Sequence, residues 1–291
     1  EFGAPTSRVR WQTGLAAGAM ACTSLVLAAA EWRLRGAARE QAEQLLAAST
    51  REIAQSAQTR PATTQHTRRG FTGRYRIGPD PAPIRIVVIS DYQCGDCKLL
   101  EQQLRPLLAA RTDVALSAKH FPFCSECNPY VERTLHGNAC WAARAAEAAG
   151  MLGGAEGFFR MHHWLFDRGG SFTHAELAAA LPTLGFDPRA FVAAMESPET
   201  LAHVRADVEE AVSLGLHFTP MIFINGVELR GWNAPNAVAR AVEALAATNP
   251  PPRGPEYDRP AGPVEKVIAD WRAQSIIDLP PDRSPHVLGR D

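Results

Sequence analysis

The sequence lacks an excess of charge of either sign. Its 30 lysine and arginine residues balance 31 aspartate and glutamate residues, which leaves a formal net charge of -1 at pH 7. A dedicated nucleic-acid-binding protein normally carries a strong basic excess, so the composition argues against a nucleic-acid partner. The sequence also has no internal repeat, and its 22 glycines and 22 prolines among 291 residues exclude a collagen-like or low-complexity chain. Because 46% of the residues are hydrophobic, one or two domains can bury a core.

Long uncharged runs are also scarce, and Thr13–Ala30 is the only one of bilayer length. As a helix it spans roughly 27 Å, the lower limit for a membrane span, and its glycine and alanine content makes it weakly hydrophobic. We predict a retained membrane anchor over residues 1–30. The alternatives are a cleavable signal that ends at the small residues Ala28–Ala30, or a helix buried in a soluble domain. Arginines on both sides of the run leave its orientation open.

The rest of the chain divides into three regions. Glu31–Gln58 lacks proline and is rich in helix formers, which predicts a helical stalk that continues as a polar loop to residue 70. Residues 71–248 form the predicted globular domain, with a mostly helical stretch over about 130–214. Residues 249–291 begin with a proline-rich segment, which predicts an extended linker and a tail, with a short helix at Val264–Gln274.

Within the globular region, apolar runs predict a buried sheet. Ile84–Ser90 is a continuous β-branched run, as expected for a strand that is covered on both faces, and Val114–His120 is a second strand. Met221–Asn225 and Val227–Arg230 flank an Asn-Gly pair, which is typical of a β-hairpin. Helices are predicted at Lys98–Ala110 and Ala234–Ala247. The long helical stretch is divided by caps or breakers at Thr173, Asp187-Pro188 and Ser197-Pro198.

The chemistry-bearing motif is Cys94-Gly-Asp-Cys97, which lies between the first buried strand and a helix. This placement puts Cys94 at a helix N-terminus, where unpaired amides and the helix dipole stabilise a thiolate. Cys97 follows one turn later, close enough to close a disulfide. The C-x-x-C spacing alone also suits zinc, so the strand–motif–helix order is what favours a redox pair.

A second signal lies far along the chain, where Thr219-Pro220 opens a late strand that ends in Asn225-Gly226. Together with Asp91-Tyr92-Gln93-Cys94, Lys119-His120-Phe121-Pro122 and the alanine-rich helix around 139–149, this segment resembles the DsbA-like branch of the thioredoxin superfamily. The resemblance covers about 71–247 and implies an α/β thioredoxin-like fold with a helical insertion, here preceded by a transmembrane helix and a stalk.

The resemblance implies thiol–disulfide exchange with protein thiols or disulfides as substrates, and no cofactor or metal ion. Cys94 would be the exposed nucleophile and Cys97 the buried resolving thiol, while Thr219 and Pro220 would lie against the disulfide. Asp96 stands where strongly oxidising members carry histidine. Because a nearby carboxylate disfavours a thiolate, we expect Asp96 to make the pair a milder oxidant. Whether the protein acts as oxidase, reductase or isomerase is left open.

A second cysteine group comprises Cys124, Cys127 and Cys140. We favour a structural disulfide within the insertion, since disulfides persist outside the cytoplasm. A metal site that adds His136, which precedes Cys140 by four residues, and inert buried thiols are the alternatives. The five cysteines that follow the apolar run are odd in number, so one lacks an intrachain partner when Cys94 and Cys97 are joined.

These observations predict a membrane-anchored oxidoreductase in the bacterial inner membrane, with its thioredoxin domain in the periplasm or outside. The alternative is a non-catalytic, thioredoxin-like accessory subunit of a larger membrane complex, suggested by the stalk and the proline-rich tail. Intact Cys94, Cys97 and Pro220 favour the enzyme.

Overall fold

The computed structural model describes residues 7–59, 71–264 and 268. Its helices are α1 (Ser7–Thr59), α2 (Gly95–Ala110), α3 (Ala139–Asp167), α4 (His174–Ala180), α5 (Pro188–Glu196), α6 (Pro198–Ser213) and α7 (Ala237–Ala246). Its strands are β1 (Arg76–Ile77), β2 (Ile84–Ser90), β3 (Val114–His120), β4 (Met221–Ile224) and β5 (Val227–Glu228). The predicted loop over residues 60–70 and nearly all of the predicted helix Val264–Gln274 lie outside the described residues.

The five strands form one sheet in the order β1-β3-β2-β4-β5. β2 is central, parallel to β3 and antiparallel to β4, and all seven of its residues are buried. The bounds predicted for β2 and β3 are confirmed. The predicted hairpin is confirmed as well, because Asn225 and Gly226 take φ values of 48° and 75°, which its two-residue turn requires.

The helical insertion begins later than predicted. Residues 121–138 form turns, and the helices run from α3 at Ala139 to the end of α6 at Ser213. The predicted starts of the following helices are confirmed by side-chain caps: Thr173 forms a capping box with Glu176, and Asp187 and Ser197 each cap a helix whose first residue is proline.

Helix α1 differs most from its prediction. It is one continuous helix of 53 residues, about 80 Å long. Residues 27–41 are exposed, but beyond them Ala42, Leu46 and Ile53 are buried against α7 and β5. The domain predicted to begin at residue 71 therefore lacks the C-terminal part of α1, which packs in the hydrophobic core. Among the described residues, no helix combines the length and apolar character that crossing a membrane requires.

The proline-rich segment after α7 also differs from the extended linker predicted there. Ala82 and Arg253 form an antiparallel bridge. Asp258 pairs with the buried guanidinium of Arg85, at 2.7 Å from Nε and 2.9 Å from Nη2. A charged side chain in the central strand is tolerated because this carboxylate, only 2% exposed, neutralises it. Residues 253–258 thus cover one end of the sheet.

Candidate active site

Cys94 and Cys97 lie where β2 passes into α2. The chain leaves β2 at Ser90, and Cys94 occupies the N-cap of α2 with its amide donating to the Asp91 carbonyl at 3.1 Å. Cys94 is half-exposed, whereas Cys97, in the first turn of α2, is 1% exposed. Only the first sulfur can meet a substrate directly.

The surroundings of Cys94 stabilise its thiolate and lower the pKa of this thiol to about 6. The largest contribution is a hydrogen bond from the side chain of Cys97, followed among the stabilising groups by the Cys97 amide, the Thr219 side chain and the Asp96 amide. These outweigh partial burial, which acts in the opposite direction. At pH 7 most of the Cys94 thiol is therefore ionised.

The thiol of Cys97 has the opposite character. Burial raises its pKa well above the usual range, and the neighbouring Cys94 raises it further. The amide of Asp91 donates to Cys97 Sγ at 3.5 Å. The two cysteines therefore divide into an exposed thiolate and a protected thiol.

The Thr219–Pro220 peptide bond is cis and leads into β4. Because β4 pairs with β2, this loop lies beside the end of β2 that carries the cysteines. The Thr219 carbonyl oxygen lies 3.7 Å from Cys94 Sγ. A partly exposed thiol of low pKa, a buried second thiol and a cis-proline loop thus meet in one place.

A family model, the DSBA-like thioredoxin domain, matches residues 85–243. The chain belongs to this family. All the groups that surround Cys94 lie within the matched range.

Curated relatives share the same part of the chain. It is 29% identical over 177 residues to the Na(+)/H(+) antiporter NhaA 1 of Salinispora arenicola, which is 60% of this chain and 25% of the antiporter. It is 31% identical over 176 residues to NhaA 1 of Mycolicibacterium vanbaalenii, which is 59% of this chain and 26% of the antiporter. The chain spans about a quarter of the length of the curated relatives it matches.

The chain is also similar to solved structures. The thiol-disulfide exchange protein alpha-DsbA2 of Wolbachia pipientis is 18% identical, with a TM-score of 0.49 and coverage of 69% of this chain and 97% of that one. Oxidised BdbD of Bacillus subtilis is 19% identical, with a TM-score of 0.48 and coverage of 62% and 100%.

Asp96 is exposed in the first turn of α2 of this DsbA-like domain. Its backbone amide is among the groups that lower the pKa of Cys94, an effect that any residue except proline supplies at this position. The effect of its side chain on the redox pair stays a prediction.

Asp91 ties the cysteine motif to the loop that follows β3. Its buried carboxylate accepts hydrogen bonds from the Gln93 amide at 2.8 Å, the Phe123 amide at 2.8 Å and His136 Nδ1 at 2.7 Å. Sequence spacing suggested His136 as a metal-ligand alternative, whereas the structure pairs it with Asp91. This pairing joins residues 45 positions apart and has no local signal in the sequence.

The second cysteine group contains one disulfide and one free thiol. Cys127 and Cys140 are bonded, with 5.5 Å between their Cα atoms, and Cys124 is free and buried. The alternative metal site is not assembled, because two of its thiolates are in the disulfide and His136 binds Asp91. Within this group, Cys124 is the residue without a disulfide partner; Cys94 and Cys97 are also free thiols in this structure.

A buried carboxylate that sequence reasoning missed lies one turn after Cys97. Glu101 binds His162 Nε2 at 3.2 Å and Arg105 Nε at 2.8 Å, and His162 Nδ1 lies 2.9 Å from the Tyr92 hydroxyl. Burial opposes ionisation of Glu101, but His162 and Arg105 lower its pKa overall. The network anchors Tyr92, which lies two residues before Cys94.

Within the part of the chain that the structure describes, His120, Glu147 and Asp207 place ligand atoms within 4.8 Å of one another, a spacing that suits a metal ion. Positively charged side chains of the protein already form ion pairs with the two carboxylates. Asp207 binds Arg74 at 3.0 Å and Lys119 at 3.1 Å, and Glu147 binds Arg74 at 3.0 Å. His120 and His203 also hydrogen-bond Glu147 and, against its burial, lower its pKa. The group is a buried ion-pair network.

Proposed function

We propose that this protein is a thiol–disulfide oxidoreductase that exchanges disulfides with protein thiols through Cys94 and Cys97. The observation that carries the proposal is the half-exposed Cys94, whose pKa is lowered to about 6 beside a buried Cys97. The thiolate is both the attacking form and the good leaving form in disulfide exchange. A helix N-terminus with this pair of thiols supplies both at neutral pH.

In the oxidising direction, a substrate thiolate attacks Cys94 Sγ in the Cys94–Cys97 disulfide. The bond between the two cysteines breaks, and Cys97 leaves as a thiolate that takes up a proton. A second substrate thiolate then attacks the substrate sulfur of the mixed disulfide and releases Cys94 as its stable thiolate. The substrate loses two electrons, which the Cys94–Cys97 pair gains; the reducing direction runs the same steps backwards.

The cis-proline loop supports the positioning of an extended substrate. The Thr219 carbonyl lies 3.7 Å from Cys94 Sγ, and the preceding residue, Phe218, has an exposed side chain, so we expect a peptide joined to Cys94 to contact both. An extended peptide can pair with backbone groups of such a loop much as an added strand pairs with a sheet edge.

The Cys94 pKa also supports a mild exchanger. A value of about 6 lies closer to the pKa of about 7 in thioredoxin than to the value of about 3.5 in strongly oxidising DsbA. Since a less stabilised thiolate favours the reduced form less, we expect an intermediate reduction potential.

The decisive experiment measures catalysis and potential together. Equilibration of the full chain with glutathione buffers should yield a two-electron titration of the Cys94–Cys97 pair, and the protein should oxidise or reduce a dithiol peptide with turnover. Cys94→Ser should abolish both, whereas Cys124→Ser should leave both intact. Absence of turnover in either direction would reject the proposal.

The proposal includes an extracytoplasmic location with attachment to the bacterial inner membrane through the start of α1. Support comes from the Cys127–Cys140 disulfide, which suits an oxidising compartment, and from relatives named as Na(+)/H(+) antiporters. The protein should stay in membrane fractions after an alkaline carbonate wash, and protease added outside the inner membrane should degrade the DsbA-like domain. A soluble protein, or one protected from that protease, would contradict this part.

A second candidate function is that of a thioredoxin-like accessory subunit in a larger membrane complex. The observation in its favour is the exposed stretch of α1, where Trp32 is 77% and Leu34 is 71% exposed. Purification in a fixed stoichiometry with a complex, together with no turnover of a dithiol substrate, would favour this function over the first.

A further inference from the structure

The cysteines outside the active-site motif form a cluster with the parts of an exchange site. Cys124, Cys127 and Cys140 are at most 4% exposed and share one apolar cluster with Ala139, Ala143 and Val204. The cluster holds one disulfide and one free thiol, the minimum that internal exchange needs. Since no sulfur reaches the surface, Cys124 is available to its two neighbours rather than to an external partner.

The backbone turns Cys124 towards Cys127. The Cys124 carbonyl accepts hydrogen bonds from the amides of Cys127 at 3.2 Å and Asn128 at 2.9 Å. This single turn gives the pair the C-x-x-C spacing of Cys94 and Cys97, and in such a turn the residues i and i+3 share a face. Thr134 Oγ1 donates a hydrogen bond to Cys124 Sγ at 3.9 Å, which holds the Cys124 side chain within this loop.

Cys140 is placed as the leaving group. It is the second residue of α3, where the first-turn amides have no partner within the helix and the helix dipole stabilises an anion. Cys127 lies in a turn of the loop, without a helix of its own. Because a stabilised thiolate leaves faster, attack on Cys127 with release of Cys140 is the favoured route.

We propose that Cys124, Cys127 and Cys140 form a second, internal thiol–disulfide exchange site. The Cys124 thiolate attacks Cys127 Sγ, the Cys124–Cys127 bond forms, and the Cys127–Cys140 bond breaks. Cys140 leaves as a thiolate and takes up the proton that Cys124 lost. The number of disulfides is unchanged, so the step needs no oxidant or reductant.

The exchange moves the free thiol from the loop to the start of α3. Cys124 lies close to the active site in the loop. The amide of its neighbour Phe123 donates a hydrogen bond to Asp91 Oδ2 at 2.8 Å, and Asp91 lies three residues before Cys94. The proposal does not depend on turnover at Cys94, since disulfide pairing is measured in the resting protein.

The sequence allows both pairings to be distinguished without reduction. Trypsin cleaves after Lys119, Arg133 and Arg144 and so places Cys124 and Cys127 in one peptide, 120–133, and Cys140 in the next, 134–144. Cys94 and Cys97 fall in a third peptide, 86–98. The resting pairing links two peptides, whereas the exchanged pairing lies within one.

The first arm uses full-length Cys140→Ala in oxidised glutathione, with thermal unfolding to verify its fold. We expect peptide 120–133 to be lighter by two hydrogen atoms and to resist alkylation. The matched control, Cys124→Ala, should keep the link between the two peptides. Alkylation or glutathionylation of both Cys124 and Cys127 in the Cys140→Ala protein would overturn the proposal.

The second arm needs no variant. Native protein is held at about pH 6 or at about pH 9, because exchange needs a thiolate and is faster at the higher pH, then quenched in acid and labelled with maleimide after denaturation. The maleimide label should shift from peptide 120–133 towards peptide 134–144 at the higher pH. A label confined to Cys124 at both pH values would equally overturn the proposal.

Discussion

His136 Nδ1 lies 2.7 Å from Oδ2 of Asp91, although 45 positions separate the two residues. Asp91 is 1% exposed, and its amide contacts Cys97 Sγ, so the loop after β3 is tied to the residue that lies against the buried thiol. The contact predicts that the loop influences the resolving step rather than the first attack.

His136→Ala should slow the release of a mixed disulfide by Cys97 while leaving its formation at Cys94 nearly unchanged. The reason is that the Asp91 carboxylate loses one of three donors, which loosens the turn that holds the Asp91 amide against Cys97. Single-turnover kinetics with glutathione disulfide separate the two steps. The exposed His174→Ala serves as the control, and equal slowing of both steps would show that His136 has only a structural role.

Cys94 should be the only site at which covalent substrate adducts accumulate. In Cys97→Ser the resolving thiol is missing, so a substrate joined to Cys94 stays bound. Mass spectrometry of tryptic peptide 86–98 after reaction with a disulfide peptide locates the adduct. Cys94→Ser should yield none, and adducts on Cys97 in that variant would reverse the assigned roles.

The reduced protein should show a thiol that titrates near pH 6. Because the Cys97 hydrogen bond is the largest cause of the low pKa of Cys94, Cys97→Ala should move the midpoint upwards. In Cys97→Ser, which keeps a hydrogen-bond donor, the midpoint should lie between those of the unsubstituted protein and Cys97→Ala. Thiolate absorbance or iodoacetamide labelling rate against pH measures the midpoint, and an unchanged midpoint in Cys97→Ala would contradict the assigned cause.

The same pKa sets a pH dependence of stability. The Cys94 pKa is lower in the folded, reduced protein than in the unfolded chain, so its contribution is complete above the unfolded pKa of about 8.5. It decreases as pH falls and is lost below about pH 6. Denaturant unfolding from about pH 5 to 9 should show that the reduced form gains stability relative to the oxidised form between about pH 6 and 8, whereas groups such as His163, whose pKa is lowered by burial, act on both forms alike.

Asp96→His should raise the reduction potential of the Cys94–Cys97 pair. The substitution removes a negative charge that opposes the Cys94 thiolate and adds a group that favours it when protonated. Glutathione equilibria report the shift, with Asp96→Asn isolating the loss of charge and Glu156→His on α3 as an exposed control. A potential that is unchanged or lower in Asp96→His would reject this account of the position.

Asp258→Asn should destabilise the protein by about 3 kcal/mol, because the buried Arg85 guanidinium loses its buried carboxylate and keeps only the partly exposed Asp80, at 3.1 Å. The matched control is Asp167→Asn, which removes an exposed partner of Arg105 and should cost at most about 1 kcal/mol. Denaturant unfolding compares the two variants. Similar small losses in both would show that the segment around Asp258 adds little to the sheet.

Local sequence patterns predicted those parts of the protein whose structure depends mainly on interactions between residues close in sequence. A continuous β-branched run specified β2, the Asn225-Gly226 pair specified the hairpin turn, and the order of strand, Cys94-x-x-Cys97 and helix indicated the redox pair. Thr219-Pro220 was found because a proline at a strand start is itself a conspicuous signal.

What the sequence did not predict depends on contacts between distant segments. Leu46 and Ile53 have the same helical pattern whether they face solvent or pack on α7. Asp258 stands in a segment whose prolines indicate a linker, and its partner Arg85 lies far away in β2. His136 likewise has no neighbour in sequence that would indicate its bond to Asp91.

Because the C-terminal part of α1 packs on the domain, the length of its exposed part affects how the domain is oriented. Gly231, with φ of 71°, lies so close to the Ala42 carbonyl that an added Cβ would come within 2.2 Å of it, so the backbone of α1 packs directly against the backbone of the domain. Each residue inserted into the exposed stretch 27–41 would therefore rotate Cys94 by about 100° around that axis and shift it by about 1.5 Å. The number of residues in this stretch therefore determines the orientation of the redox pair relative to the N-terminal end of α1.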